Sequence, residues 1–207
     1  SFATVQPPLV STDEVDAVSS DAATVSGTVN ANSGSAGAVV EYSTDVADLG
    51  TPAAATVSTS PGEVTGSTNE TVTAELTGLV AGTTYHARVR ATAGVATALG
   101  ATTTFTTAAS LVTSGLDVTY DGQPVELTTV TEPAGLALER VFVGIDGTDR
   151  PESSVPPTDA GTYRVTTSIV DDELSGSEVT TLVISPKVLD LAVSAVDRAY
   201  DGSTEVE

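Results

Sequence analysis

Cysteine, methionine and tryptophan are all absent from this sequence of 207 residues. Without cysteine the chain has no disulfides, no thiolate metal sites and no thiol redox chemistry. Because it has only five Tyr and three Phe, its cores must be filled by small and β-branched side chains, which suit pleated sheets. The length allows one large or two modest domains. These features favour an all-β protein with small cores.

Basic residues are also scarce. Seven Lys and Arg stand against 28 Asp and Glu, for a formal charge of −21. The acidity is spread along the chain, with ten acidic and two basic residues in 1–107 and eighteen and five in 108–207. Such a charge repels the phosphates of nucleic acids and of anionic lipids. We therefore expect no nucleic acid partner.

Residues 91–116 carry no charge and are numerous enough to cross a bilayer. Their Thr, Ser and Gly content and their two-residue alternation instead predict strand, turn and linker, so no membrane insertion is expected. At the N-terminus, 1–7 resembles the tail of a preceding unit followed by a linker. Ser1 in place of an initiator Met suggests a piece of a longer chain.

The chain is organised around Ala81–Ala91, where a glycine turn precedes a strongly alternating strand. Tyr85 leads one face of that strand, and His86 and the two following arginines share the other face. Ala160–Ile169 repeats this arrangement, with Tyr163 leading the inner face. Two tyrosine-led strands about eighty residues apart predict two separate β-sandwiches in tandem.

Short alternating segments separated by Gly, Asn, Ser and Pro predict seven strands between residues 8 and 107, the number expected for a sandwich. The predicted strands are Val15–Ser19, Ala23–Asn30, Ala38–Ser43, Ala54–Ser58, Thr71–Leu76, Thr84–Ala93 and Ala98–Thr106.

Residues 76–85 read LTGLVAGTTY, and residues 23–30 read ATVSGTVN. Over about 8–107 these segments resemble the tyrosine corner and the second strand of bacterial fibronectin type III domains. The resemblance implies that the Tyr85 hydroxyl bonds backbone a few residues upstream, with Leu79 and Gly82 as structural residues of the corner. The second-strand Trp of animal domains and an Arg-Gly-Asp tripeptide are both missing. Integrin-type binding is therefore not implied.

A linker or shared strand is predicted over 108–115 and a second unit over 116–186. The second unit contains Tyr120-Asp121-Gly122, the face of Val141, Val143 and Ile145 before an Asp146-Gly147 hairpin turn, a Pro-rich loop over 151–157, and TDAGTY ending at Tyr163. Over about 110–186 these signposts resemble the Ig-like MBG repeats of large bacterial surface proteins. The structural residues assigned on this basis are Tyr120, Gly161 and Tyr163.

Tyr200-Asp201-Gly202 repeats the earlier Tyr-Asp-Gly at a distance of 80 residues. Residues 187–207 therefore resemble the start of a further, truncated YDG-type repeat. A fixed period of this kind is typical of arrays, so neighbouring repeats of the same chain are the expected partners.

Few residues are candidates for chemistry. His86 is the only histidine and lies on the expected outer face, so neither a metal cluster nor a triad is predicted around it. The acidic cluster Asp171, Asp172 and Glu173 is either a solvated hairpin tip, which we favour, or a calcium site; a catalytic carboxylate pair is the third reading. Asp121 and Asp201 precede glycines, which favours turn formation over calcium binding between units. No cofactor is predicted.

Covalent cross-links are not expected. Lys187 is the only lysine and lies in a linker, and neither Gln6 nor Gln123 has the context of a Thr–Gln ester. Asn69-Glu70-Thr71 fits an N-glycosylation acceptor, which matters only in a host that glycosylates.

Together these patterns predict a non-enzymatic spacer in a secreted or wall-attached bacterial surface protein, in which an adhesin-like stalk of Ig-like units extends a distal functional domain from the cell. The alternative is a carbohydrate- or protein-binding accessory module of a secreted multidomain enzyme. Nothing in the sequence identifies a cell-surface or matrix ligand.

Overall fold

The computed structural model describes residues 6–193, which form fourteen β-strands and one 3-10 turn at Val46–Asp48. The predicted all-β class is confirmed. Within residues 6–193 no helix is long and apolar enough to cross a membrane. The second Tyr-Asp-Gly copy with Asp201 lies outside the described residues, as does most of the predicted further repeat.

Eight strands make up the first unit: β1 (Leu9–Asp16), β2 (Ala22–Asn30), β3 (Gly34–Ser43), β4 (Ala55–Gly66), β5 (Glu70–Thr77), β6 (Thr84–Ala93), β7 (Ala96–Leu99) and β8 (Thr103–Thr106). Hydrogen bonds run in the order β1-β2-β5-β4-β3-β6-β7, and β8 pairs with β6. β4 meets β5 through a single residue pair, Ser60 and Thr73. The sheet folds over at this pair, so that β1, β2 and β5 form one layer of a sandwich and the other strands form the second.

The core of the first unit consists mostly of valine and alanine, because β2, β3, β5 and β6 each turn one alternating face inward. In β6 the predicted alternation is confirmed: Tyr85 is 7% exposed and Val89 is fully buried, whereas His86 between them is only half-buried. The larger members of this core are Leu76, Leu79, Tyr85 and Phe105.

The predicted first strand, Val15–Ser19, is wrong. β1 spans Leu9–Asp16 and ends where Ala17 adopts a φ of +49°, a left-handed conformation that extended backbone cannot continue. Its register shifts between Thr12 and Val15, so its side chains do not follow a simple alternation. The fourth strand is also longer than the predicted Ala54–Ser58.

The predicted strand Ala98–Thr106 is two strands, β7 and β8, separated at Gly100. Gly100 donates its N–H to the carbonyl of Val89, and a Cβ at this glycine would lie 2.8 Å from the backbone nitrogen of Thr12. Because β1 passes so closely, the pairing of this segment with β6 is interrupted at Gly100. The first unit therefore has eight strands, not seven.

Six strands make up the second unit: β9 (Ser110–Ser114), β10 (Asp117–Thr119), β11 (Thr128–Glu132), β12 (Leu138–Ile145), β13 (Gly161–Ile169) and β14 (Ser177–Ser185). β10 pairs in parallel with β14, which continues antiparallel through β13 to β12, and β9 pairs with β11 in a separate two-stranded sheet. Of the two readings of 108–115, linker or shared strand, the structure shows a strand over residues 110–114, which pair along their whole length with β11.

The second core is built around Phe142 and Tyr163, each 1% exposed, and shares no residue with the first core. On β12 the fully buried side chain is Phe142, which pairs with Val165. The predicted strand face is only half-buried; it consists of Val141, Val143 and Ile145. The predicted hairpin turn after Ile145 is confirmed, since Asp146 and Gly147 have φ values of +52° and +88° and the Thr148 N–H donates to the Ile145 carbonyl at 3.0 Å.

Candidate functional site

The first tyrosine corner lies between β5 and β6. The hydroxyl of Tyr85 accepts a hydrogen bond from the N–H of Val80 at 3.0 Å, five residues upstream. Its ring stacks on Phe105, with ring centroids 5.7 Å apart. Leu79 is 7% exposed and donates its N–H to the carbonyl of Asp21 at 2.9 Å. These contacts tie the loop that crosses from one layer of the sandwich to the other.

The second tyrosine corner has the opposite hydrogen-bond polarity. The hydroxyl of Tyr163 donates to the carbonyl of Asp159 at 2.8 Å, four residues upstream. Burial raises the pKa of Tyr163 above 10.0, and the Asp159 carboxylate raises it further, while Arg150 acts in the opposite direction. The phenol therefore stays protonated and remains a donor. Gly161 before it packs on Thr148, where a Cβ would lie 2.6 Å from Oγ1.

Replacing either corner tyrosine by phenylalanine should destabilise its own unit. Each change keeps the ring and removes one hydrogen bond, at a cost of about 1 kcal/mol. In calorimetry, Tyr85→Phe should lower one melting transition and Tyr163→Phe the other, by about 4–8 °C each. If both variants lowered the same transition, the two cores would not be separate.

Alkaline pH should destabilise the second unit through Tyr163. A raised pKa means that the stabilisation from Tyr163 is present below pH 10.0 and is lost as the pH rises through the folded-state pKa. Tyr163→Phe should abolish that part of the alkaline destabilisation.

A charged cluster on the outer face of the first unit was not predicted. Glu41 on β3 is 2% exposed and lies opposite Arg88 on β6. Arg88 Nε lies 2.5 Å from Glu41 Oε1, and Arg90 Nε lies 3.2 Å from Oε2, the latter without hydrogen-bond geometry. Gly50 lies beside the Arg88 guanidinium, since a Cβ there would be 3.0 Å from Nη2. The buried carboxylate is thus paired with two arginines.

We expect Glu41→Gln to destabilise the first unit by about 2 kcal/mol, because it leaves two partly buried guanidinium groups without their counter-charge. The matched control is Glu75→Gln, which removes the same charge from an exposed position on β5 and should change stability by less than about 0.5 kcal/mol. Thermal or denaturant unfolding of both variants gives the comparison. Equal effects would show that Glu41 acts only through net charge.

On the outer face of β6, His86 Nδ1 and Thr104 Oγ1 share a hydrogen bond of 2.9 Å. No group of three or more His, Asp or Glu side chains within residues 6–193 is arranged to hold a metal ion. Asn69 is exposed, and its side-chain oxygen accepts a hydrogen bond from Asn30 Nδ2 at 2.9 Å. Lys187 is exposed beyond the end of β14.

The acidic cluster after β13 is organised as a turn. Asp171 Oδ1 accepts hydrogen bonds from the N–H groups of Glu173 and Leu174, both at 2.9 Å. These two bonds lower the pKa of Asp171, because they favour its charged form. Asp172 and Glu173 are exposed. One carboxylate oxygen of this cluster thus stabilises the backbone turn that follows β13.

Asp121 has the same kind of role in the first Tyr-Asp-Gly segment. Its Oδ1 accepts a hydrogen bond from the Gln123 N–H at 2.9 Å, and Gly122 between them has a φ of +81°. Tyr120 is tied by its backbone, whose N–H donates to the Ser185 carbonyl at 2.8 Å. Its ring is 39% exposed and lines an open cleft of about 590 Å³ together with Pro124 and Pro156.

Removing calcium should not affect the protein. The Asp171 and Asp121 carboxylates are engaged with backbone N–H groups, so we expect equal melting temperatures in excess chelator and in millimolar calcium. Asp171→Ala should lower the second transition equally in both conditions. A melting temperature that rises with added calcium would contradict the turn interpretation.

The Glu41 cluster could not be predicted from the sequence, although the alternation of β6 indicated that Arg88 and Arg90 lie on its outer face. The sequence does show a single acidic residue on another strand of similar length. It does not show that this strand lies next to β6. Thr107 was also missed. It is 1% exposed, and its Oγ1 donates to the Val80 carbonyl at 2.7 Å and accepts from the Thr83 N–H.

The second unit matches a known family. Residues 109–188 match the model of the MBG domain, which confirms the MBG resemblance predicted for about 110–186. No curated protein matches the chain. The fibronectin type III resemblance of residues 8–107 stays a prediction.

Three solved structures are distantly similar. The sensor domain of the anti-sigma factor RsgI4 from Pseudobacteroides cellulosolvens is 19% identical, with a TM-score of 0.37, and the match covers 50% of this chain and 97% of that one. The CNTN1 FN1-FN3 domains from chicken are 13% identical at a TM-score of 0.33, over 87% of this chain and 66% of theirs. Red sea bream transglutaminase is 14% identical at a TM-score of 0.34, over 89% of this chain and 32% of its own. Similarity at this level has no bearing on function.

Proposed function

We propose that this chain is a non-enzymatic spacer of a repetitive extracellular surface protein, in which Ig-like units placed end to end extend a distal domain from a bacterial cell. The observation that supports this most strongly is the direction of the chain, which enters each unit at one end and leaves it at the other. Units with this polarity can be joined in series without the chain doubling back.

In the first unit the chain enters at the end where Leu9 pairs with Asn30 and the Pro7 carbonyl accepts a hydrogen bond from Asn32 Nδ2 at 2.6 Å. It leaves at the opposite end, where the N–H of Ala108 donates to the carbonyl of Ser19 at 3.0 Å. Because β1 runs from the first end towards the second, the length of a strand separates entry from exit.

The second unit has the same polarity. The chain enters beside Ser175, whose carbonyl accepts the N–H of Ala109 at 2.9 Å. It leaves after β14, where the Ser185 carbonyl accepts the N–H of Tyr120. β14 runs from Ser177 at the entry end to Ser185 at the exit end.

The first strand after the entry, β9, pairs with β11, and the next strand, β10, is hydrogen-bonded to the exit strand β14. Asp117–Thr119 pairs in parallel with residues 183–185 of β14, and the Val183 N–H donates to the Leu116 carbonyl at 2.7 Å. Tension between the two ends of this unit acts along these strands, so it shears several hydrogen bonds together instead of opening them one at a time. A spacer under load benefits from this arrangement.

The described residues offer little for the alternative function, a carbohydrate- or protein-binding accessory module. Sugar-binding platforms need exposed aromatic rings, and Tyr120 is the only large aromatic among the exposed hydrophobic residues in the described part of the chain. The MBG match supports an extracellular location. Specific, tight binding on a glycan array would favour the accessory module.

Single-molecule pulling from the two ends tests the spacer directly. Val118→Pro disrupts the parallel pair at the position opposite Ile184 and should lower the unfolding force of the second unit, because proline removes a ladder donor. The first unit, unfolding in the same traces, is the internal reference.

The matched control is Val130→Pro on β11, outside the parallel pair. It should reduce thermal stability with a smaller effect on the unfolding force. Equal losses of force in the two variants would contradict a load-bearing role for the parallel pair.

A further inference from the structure

The connection between the two cores is short and bonded on both sides. Within residues 107–109, the N–H of Thr107 donates to the Thr83 carbonyl at 3.0 Å, and the Ala108 carbonyl accepts the Gly82 N–H at 3.1 Å. The next residue, Ala109, is 4% exposed and donates its N–H to Ser175 of the second unit. Consecutive residues are therefore tied to opposite units, and no free linker lies between them.

The first tyrosine corner also forms the contact surface for the second unit. Gly82 has a φ of +59°, which favours glycine. A Cβ at this position would lie 2.7 Å from Pro133 Cγ and 3.4 Å from Leu174 Cδ1, both of which belong to the second unit. The corner therefore needs glycine for two reasons, its own backbone conformation and the close approach of the proline ring.

The acidic turn of the second unit presents Leu174 to this surface. The Leu174 N–H is one of the two that Asp171 Oδ1 accepts, so the carboxylate fixes the loop that carries the leucine. Two residues later Gly176 allows a second close approach, since a Cβ there would lie 2.6 Å from the Ala109 carbonyl oxygen. The turn and the connection thus pack as one structure.

We propose that these residues form a fixed joint, in which the Gly82 corner of one unit receives Pro133 and Leu174 of the next and Asp171 acts as the positioning residue. This deepens the proposed spacer function, on which it rests, by assigning a surface that resists bending as well as stretching. The partner for this surface is the adjacent unit of the same chain. The acidic cluster considered above as a calcium site would then serve the joint through its backbone hydrogen bonds.

The absence of cysteine makes a distance measurement straightforward. Spin labels on Val95→Cys and Asp149→Cys, at exposed positions of the first and second units, report the distribution of distances across the joint by double electron–electron resonance. The otherwise unchanged chain should give one narrow peak. Leu174→Ser, which removes the apolar contact, should lose that peak and give a broad distribution.

Asp171→Ala and Asp172→Ala form a matched pair. They remove the same charge from adjacent exposed positions, but only Asp171 accepts the N–H of Leu174. Asp171→Ala should broaden the distribution, and Asp172→Ala should leave it unchanged. The melting transition of each unit, recorded on the same samples, confirms that the variants are folded.

A broad distribution in the doubly labelled chain without further substitutions would overturn the fixed joint, and equal behaviour of Asp171→Ala and Asp172→Ala would overturn the positioning role. The spacer function fails on a different result, namely a low unfolding force of the units themselves. A flexible joint between mechanically resistant units would therefore reject this inference and leave the proposed function standing.

Discussion

Close packing of small side chains between two sheet layers is the constraint on which the rest of the structure depends. With few aromatics and neither Trp nor Met, the first core consists mainly of Val and Ala, so its layers must approach closely to exclude water. Gly27 on β2 shows how near they come, because a Cβ there would lie 2.7 Å from Val89 Cγ2 of the opposite layer. The loops that cross between such layers need firm anchors, and tyrosine hydroxyls supply them at Tyr85 and Tyr163.

Polar groups in this protein mostly organise backbone. Asp121 and Asp171 accept N–H groups of their own turns, Thr107 ties the end of β8 to the Val80–Thr83 loop, and Glu41 is neutralised by two arginines. Side chains occupied in this way do not converge on a pocket where a substrate could be activated. Residues at the joint likewise have two roles, because the corner glycine and the acidic turn each shape their own loop and also contact the other unit.

Much of the fold could be read from two-residue periodicity. The inward face of β6 is unambiguous because charged residues alternate with Tyr85, Ala87 and Val89. The Asp146-Gly147 turn could be predicted because Asp-Gly is a typical hairpin-turn sequence. β1 was missed because Asp13 and Glu14 interrupt its alternation and its register shifts after Thr12. The break at Gly100 depends on how closely β1 passes, which periodicity does not encode.

The charged cluster and the joint could not be predicted in this way. Pairing Glu41 with Arg88 requires knowing that β3 lies beside β6, and the contact of Gly82 with Pro133 and Leu174 joins residues far apart in sequence. The sequence did indicate that a glycine turn precedes Tyr85. It could not indicate that a proline ring from the second unit would pack on the same atom.

Burial is achieved twice in this chain, in two cores that share no residue, and we propose that the two bodies are joined in series and held in a fixed orientation. Small-angle X-ray scattering of the chain in dilute solution tests this most directly. We predict an elongated particle whose maximum dimension approaches the combined length of the two units. A compact particle no longer than one unit of this kind would contradict it.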